Sequence, residues 1–162
     1  MKITNFWTKG YVILLFLSFS ACSTAQRTIF YQIDNLGKIE EKTIDRELWE
    51  NEIAPGEPLK SSTIVQSDLA SYHLVQIRGE EERHRHDYHD VAIFFQSGNG
   101  LMFLGDKSFR VKQGAVIFVR HGVPHYFMNG GVTPAVAIMV YSPPYDKKDY
   151  IPVPEKKAEE QK

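Results

Sequence analysis

A succession of short strand-like segments between residues 62 and 141 constrains the fold of this chain more than any other feature. Residues 72–77 alternate apolar and polar side chains, residues 91–95 are apolar enough for a buried strand, and glycine-containing turns such as 97–100 follow at short intervals. A period of two is typical of β-strands, and Gly, Asn and Ser favour turns. Because no long helical period interrupts the pattern, it predicts an all-β sandwich or barrel.

The segments flanking this region differ from it in composition. Residues 29–61 form a short N-terminal extension, in which the β-branched and aromatic run 28–33 predicts an edge strand and the amphipathic stretch 44–53 predicts one or two helical turns. The barrel itself is assigned to residues 62–145. Residues 146–162 are expected to form a charged C-terminal tail, and both termini are expected to be disordered.

The N-terminus has the features of a secretory signal peptide over residues 1–21. Lys2 and Lys9 precede an apolar run at residues 11–20, and this run is short for a helix that spans a bilayer. The pattern therefore predicts that the protein is exported.

The residues around Cys22 resemble a bacterial lipobox. Ser20 and Ala21 are small, as in that motif, whereas Phe19 departs from it, and Cys22 is the only cysteine, so it has no disulfide partner. The resemblance implies a lipid on Cys22, a tether over residues 22–28 and a domain held at a membrane of the bacterial cell envelope, on the periplasmic side or at the outer membrane. The alternative is an ordinary signal peptide with an incidental cysteine.

The balance of charge argues against one class of partner. The chain has 19 basic and 20 acidic residues, so it lacks the surplus of positive charge that binds nucleic acid, and we expect no nucleic-acid partner. Its 162 residues are enough for one domain with a buried core.

Histidines are concentrated in one stretch of the barrel region. His84, His86 and His89 lie close together, and Asp90 follows directly. Two histidines two positions apart on a strand face the same side, so His84 and His86 could hold a metal ion together. Neutral imidazole suits zinc, copper, iron or nickel.

A second set of residues has a regular spacing further along the chain. Gly114, Arg120, Gly122, His125 and Asn129 follow the second motif of the cupin superfamily, except that the motif has proline at the position of Arg120. Together with the His-x-His pair upstream, the stretch 79–129 resembles that superfamily. The resemblance implies a single-domain antiparallel β-barrel (jelly roll) of the cupin-2 type. It further implies that His84, His86 and His125 bind a divalent transition metal, whether iron, manganese, nickel or zinc.

The fourth metal ligand is ambiguous in this sequence. The family places a glutamate three or four residues after the second histidine, where this chain has Asp90 and Val91. Asp90 would face the same side as His84 and His86 in an unbroken strand. His89 is the competing candidate and would need a bulge at residues 87–88. Asp90, His89 and no fourth ligand are therefore three alternatives, and a metal-free pocket is a further one.

Four residues are predicted to line the pocket: Tyr88, His89, Arg120 and Phe127. Because Phe127 lies two residues after His125 on the same strand, it is expected to face inward, and Tyr126 between them is expected to face outward. The cation of Arg120 could bind a carboxylate or a phosphate. No catalytic residue beyond the metal ligands is identified, and Tyr88 and Arg120 are the best candidates for acid–base chemistry.

Two classes of function follow from this reading. The first is a metalloenzyme acting on a small organic substrate, as a dioxygenase, isomerase or lyase, in which the metal polarises the substrate inside a pocket that excludes water. The second is a non-catalytic module that binds a sugar, another small molecule or a metal. By analogy with cupins, the strand at residues 29–33 could also contribute to a homodimer.

Overall fold

Strands make up most of the protein, in agreement with the alternating pattern. A computed structural model describes residues 28–154, and within them the chain forms one helix and twelve strands. Their bounds are β1 Ile29–Ile33, β2 Ile39–Thr43, α1 Ile44–Glu50, β3 Leu59–Gln66, β4 Ser71–Ile77, β5 His84–Arg85, β6 Asp90–Ser97, β7 Asn99–Leu104, β8 Lys107–Lys112, β9 Val116–Val119, β10 His125–Asn129, β11 Ala135–Ser142 and β12 Ile151–Pro152.

Two five-stranded sheets form the barrel. The site sheet has the strand order β12-β5-β10-β7-β8, and the back sheet has the order β3-β4-β11-β6-β9. Every pairing within the two sheets is antiparallel. This arrangement confirms the predicted all-β, jelly-roll barrel.

The core lies between the inner faces of the two sheets. Along β6 the residues Val91, Ile93 and Phe95 are buried, whereas Phe94 faces outward, as alternation requires. Phe127 on β10 is also buried and packs its ring 5.0 Å from that of Phe95, which confirms that it faces inward.

At Gly100 on β7 the backbone approaches this core closely. A Cβ atom there would lie 2.2 Å from the carbonyl oxygen of Met128 and 2.5 Å from the ring of Phe127. Only glycine leaves enough space at this position, so β7 and β10 can pair closely around the buried aromatic ring.

The N-terminal extension covers part of the outer face of the back sheet. Strands β1 and β2 form a separate two-stranded sheet, so the predicted edge strand belongs to a hairpin. Helix α1 confirms the predicted helical turns, and Thr43 caps it by accepting a hydrogen bond from the amide of Arg46 at 3.3 Å. Ile44 of this helix is buried in a cluster with Ile64 and Leu74.

The barrel extends beyond both boundaries predicted from the sequence. Strand β3 begins at Leu59, and β12 at Ile151–Pro152 pairs with β5, so residues 146–154 are part of the barrel and the predicted tail begins too early. The prolines at 143–144 end β11, but the chain then crosses the mouth of the barrel as the C-terminal segment (residues 143–154). The predicted signal peptide, the lipid attachment at Cys22 and the predicted disordered ends lie outside the described residues.

Between residues 28 and 154, no helix is long and apolar enough to cross a bilayer.

Candidate metal centre

Three histidines meet at the mouth of the barrel. His84 on β5 pairs directly with His125 on β10, and His86 follows β5 by one residue. One ring nitrogen of each histidine lies within 4.8 Å of those of the other two. The exposed fraction of each residue is only 3–5%, so the cluster is shielded from solvent.

Each of these histidines has one ring nitrogen held by the backbone. The Nδ1 atom of His84 contacts the carbonyl oxygen of Glu82 at 2.8 Å, and that of His125 contacts the carbonyl oxygen of Val123 at 2.9 Å. The Nδ1 atom of His86 contacts the carbonyl oxygen of Asp149. Because a carbonyl oxygen can only accept, Nδ1 carries the proton in all three rings and Nε2 is left with a free lone pair.

The electrostatics of the cluster keep these rings neutral. Burial, followed by the nearby His125, lowers the pKa of His84 to about 3. Burial likewise lowers the pKa of His125 to about 4 and also lowers that of His86. All three imidazoles are therefore unprotonated at neutral pH, which is the form that binds a metal.

The donor set fits a divalent transition metal. The Nε2 atom of His86 is buried and has no hydrogen-bond partner, and leaving a buried polar atom unpaired is costly. Three neutral imidazole nitrogens that face one another form a site suited to zinc, copper, iron or nickel.

The structure places the candidate carboxylate ligand at a distance from the three histidines. Asp90 is outside the histidine cluster, because its Oδ1 atom accepts hydrogen bonds from the backbone amide of His121 at 2.8 Å and from its Nδ1 atom at 2.7 Å. The expectation assumed an unbroken strand, whereas β5 ends at Arg85 and β6 starts in the other sheet. The neighbouring position, Val91, is buried in the core.

His89 is also outside the cluster. Its Nδ1 atom lies 2.5 Å from Oδ2 of Asp149, and its Nε2 atom lies 3.2 Å from the carbonyl oxygen of Pro144. Both ring nitrogens are therefore engaged with oxygen atoms of the C-terminal segment. The structure brings together three of the predicted ligands and neither candidate for the fourth.

The other predicted pocket residues do not line the metal centre. Tyr88 is 75% exposed, at the bend between β5 and β6. Arg120 is exposed beside His121; hydrogen bonds from His121 and, to a smaller extent, the charge of Arg120 lower the pKa of Asp90. Phe127 faces the interior but belongs to the hydrophobic core.

Residues of the C-terminal segment contribute contacts that the sequence did not predict. The ring of Tyr150 stacks on that of His84 with centroids 4.1 Å apart, and its hydroxyl donates to the carbonyl oxygen of Glu82 at 3.2 Å. Tyr145 packs edge-on against His86. The signal that could have found this segment is its apolar and aromatic run at residues 150–153, which is unlike the charged sequence after it.

Glu81 is a further unpredicted residue, and its charge acts on Tyr150, whose ring stacks on His84. Its Oε2 atom accepts a hydrogen bond from the amide of Phe127 at 2.8 Å. Burial raises its pKa to about 7, and burial together with the charge of Glu81 raises the pKa of Tyr150 to about 12. A carboxyl group that titrates near neutrality can both accept and donate a proton.

Comparisons with known proteins agree with this fold. Residues 72–141 match the family profile described as Cupin domain. An uncharacterised protein of Aquifex aeolicus is 31% identical over 83 residues, which make up 51% of this chain and 68% of that protein. KdgF from Halomonas sp. has a TM-score of 0.55 and 19% identity, covering 61% of this chain and 92% of KdgF.

A further solved structure is a Streptomyces PAC13 variant with uridine. Its TM-score is 0.55 at 13% identity, and the match covers 66% of this chain and 88% of PAC13. PAC13 is described as a nucleoside dehydratase. At such identities, KdgF and PAC13 establish a similarity of fold.

Proposed function

We propose that this chain, whose residues 72–141 match the Cupin domain family, binds one divalent transition metal through His84, His86 and His125 and uses it to hold a small organic ligand. One observation carries the proposal. Three buried imidazoles have their Nδ1 atoms engaged with carbonyl oxygens, so their Nε2 atoms are free for a common ligand. A solvated polar strand end would not need this arrangement.

A metal with three protein ligands keeps coordination positions for other molecules. When bound, it would supply a Lewis acid that polarises an oxygen atom of the ligand. The residues of the chain orient and shield the ligands: the backbone carbonyl groups orient the imidazoles, and the ring of Tyr150 covers that of His84. The ligand class that fits is a small molecule with a carbonyl, carboxylate or hydroxyl oxygen.

An enzymatic role is supported by Glu81. Its carboxyl group, with a pKa of about 7, has the proton affinity of a general acid or base at neutral pH. In this role it would exchange a proton with the bound substrate or with a neighbouring group. A non-catalytic binding module is the alternative, in which Glu81 serves only to hold the amide of Phe127.

Turnover and binding assays separate these two roles. Metal-loaded protein should be incubated with diketones, thiols, sugars and uridine, the last because PAC13 was solved with it. A product formed by the unaltered protein and lost in Glu81→Gln supports an enzyme. Saturable binding without any product supports the binding module.

Metal content is the direct test of the proposed centre. Protein purified without chelators, or reconstituted after purification, is expected to contain about one equivalent of a transition metal per chain. The measurement is elemental analysis by mass spectrometry. A content below a few tenths of an equivalent, with no gain on reconstitution, would contradict the proposal.

Attachment to a membrane through Cys22 is a second proposal, supported by the sequence around that residue. Replacing Cys22 by serine removes the thiol to which the lipid is attached, so the variant is expected to leave the membrane fraction of a bacterial host. Immunoblotting of separated membranes and soluble fractions measures this, and Ser23→Ala is the matched control. A Cys22→Ser variant that stays with the membranes counts against lipidation.

A further inference from the structure

Asp149 connects the C-terminal segment to the loop that carries His86. Its Oδ1 atom accepts a hydrogen bond from the amide of Asp87 at 2.8 Å, and its Oδ2 atom accepts from the amide of Tyr88 at 2.9 Å. The same Oδ2 atom lies 2.5 Å from Nδ1 of His89, and the backbone carbonyl of Asp149 contacts Nδ1 of His86. One residue therefore holds four consecutive positions, 86–89.

These contacts are made away from solvent. The exposed fraction of Asp149 is 5%, and both of its carboxylate oxygens are occupied by donors. If the buried carboxylate of Asp149 lost one donor while the others stayed, its charge would be left partly unpaired and out of reach of water, which is strongly destabilising. The contacts are therefore expected to form and break as a group.

The C-terminal segment also covers the metal centre. Tyr150, next to Asp149, stacks on His84, and β12 pairs with β5 directly beside it. Since the three histidines are almost completely buried, a metal or ligand can reach them only when a covering element moves. The C-terminal segment is the element whose attachment depends on a few side chains rather than on a long strand ladder.

We propose that Asp149 is a positioning residue. Its carboxylate, bound to the loop at residues 87–89, holds its own backbone carbonyl against Nδ1 of His86 and keeps the C-terminal segment closed over the centre. The proposal rests on the proposed metal site. It goes beyond that site because Asp149 lies outside residues 72–141, the part of the chain that matches the family. Metal binding and closure of the segment are then coupled. A metal that binds the closed form stabilises closure, and loss of closure lowers the affinity for the metal.

Tryptic cleavage reports on the segment without any metal. Lys147 and Lys148 are exposed next to Asp149, and a protease cuts there only when the segment leaves its place. In the metal-free protein, Asp149→Ala is expected to lose residues 149–162 at least about tenfold faster than the unaltered protein, as measured by mass spectrometry. Asp146→Ala is the matched control, because Asp146 belongs to the same segment and its side chain only accepts from the nearby amide of Lys148.

Cobalt(II) binding reports on the orientation of His86. Asp149→Ala keeps the backbone carbonyl that contacts His86 but removes the carboxylate that fixes this carbonyl in place. The variant is therefore expected to bind Co²⁺ about 10- to 100-fold more weakly, as is typical when the partner that orients a ligating histidine is displaced. Its visible absorption spectrum should also change, because the spectrum depends on ligand geometry. Asp149→Asn keeps an oxygen acceptor for one backbone amide and is expected to be intermediate, whereas Asp146→Ala should match the unaltered protein.

The outcomes of these experiments distinguish failure of the proposed metal site from failure of the proposed roles of Asp149. Unchanged Co²⁺ affinity and spectrum in Asp149→Ala would overturn the positioning role. If the unaltered protein bound no Co²⁺, the proposed metal site would fail, and cleavage of the metal-free variants would decide the closure role alone: equal rates overturn it. If Asp149→Ala did not fold, cleavage of the unaltered protein would decide: tenfold protection by Co²⁺ supports the coupling, and no protection overturns it.

Discussion

Replacing His125 by alanine is expected to leave a folded barrel that no longer retains a metal. The substitution removes one of three imidazole nitrogens that lie within 4.8 Å of one another, and the two that remain are both on the β5 side. We expect the metal affinity to fall by at least about 100-fold, which is the upper range for losing only an outer hydrogen-bond partner of a ligand. Elemental analysis and Co²⁺ titration of the purified variant measure this.

Two controls make the result specific to the proposed ligand set. His121→Ala removes a histidine that is exposed and bonded to Asp90, and Asp90→Ala removes the carboxylate that the sequence suggested as a ligand. Both variants are expected to keep the full metal content. Retention of metal by His125→Ala, or its loss in Asp90→Ala, would mean that the ligand set is wrong.

The metal-free protein is expected to lose stability steeply as the pH falls below 6.5. In the unfolded chain His84 and His125 take up protons near pH 6.5, but in the folded protein burial holds their pKa values at about 3 and 4. Between these values and pH 6.5 the unfolded state binds more protons, so the free energy of unfolding falls as the pH falls. The slope is up to about 1.4 kcal/mol per pH unit for each histidine, and the lowered pKa of His86 acts in the same direction. The raised pKa of Glu81, about 7, acts in the opposite direction between pH 7 and 4.5 and offsets the contribution of one histidine.

Urea unfolding of the metal-free protein at several pH values from 7.5 to 4.5 measures this slope. His125→Ala is the matched comparison, since it should reduce the slope by up to about 1.4 kcal/mol per pH unit. Above pH 7 the effect is absent, because these histidines are neutral in both states. Equal slopes in the unaltered protein and in His125→Ala between pH 6.5 and 5 would show that His125 is not buried in the neutral form.

The alternating strands and the metal triad could be predicted because they depend on local or regularly spaced features. Residues two apart on a strand face the same side, so Phe127 follows His125 inward and Val91, Ile93 and Phe95 share one face. The spacing from Gly114 to Asn129 led to His125 through a family resemblance, and the cluster in the structure agrees with it. Only the meeting of His125 with His84 and His86 involves distant segments, and there the family resemblance supplied the information.

The candidates for the fourth ligand lie where the chain changes sheets. Asp90 was expected beside His86 because alternation was carried through residues 87–88, but the chain bends there and passes from the site sheet to the back sheet. The bend gives Asp90 a partner in His121 and turns His89 towards Asp149. Periodicity holds only within a continuous strand, so it cannot predict a side chain beyond such a bend.

By itself, the sequence determined an all-β barrel, because strand periodicity is a local property of the chain, and its motif spacing led to the three histidines through a family resemblance. Only the tertiary structure decided what surrounds those histidines. Asp149 and Tyr150 reach His86 and His84 from more than sixty residues away, through a segment whose charged surroundings suggested a tail. Such contacts depend on how the chain closes over the barrel mouth, and no spacing within the sequence encodes that path.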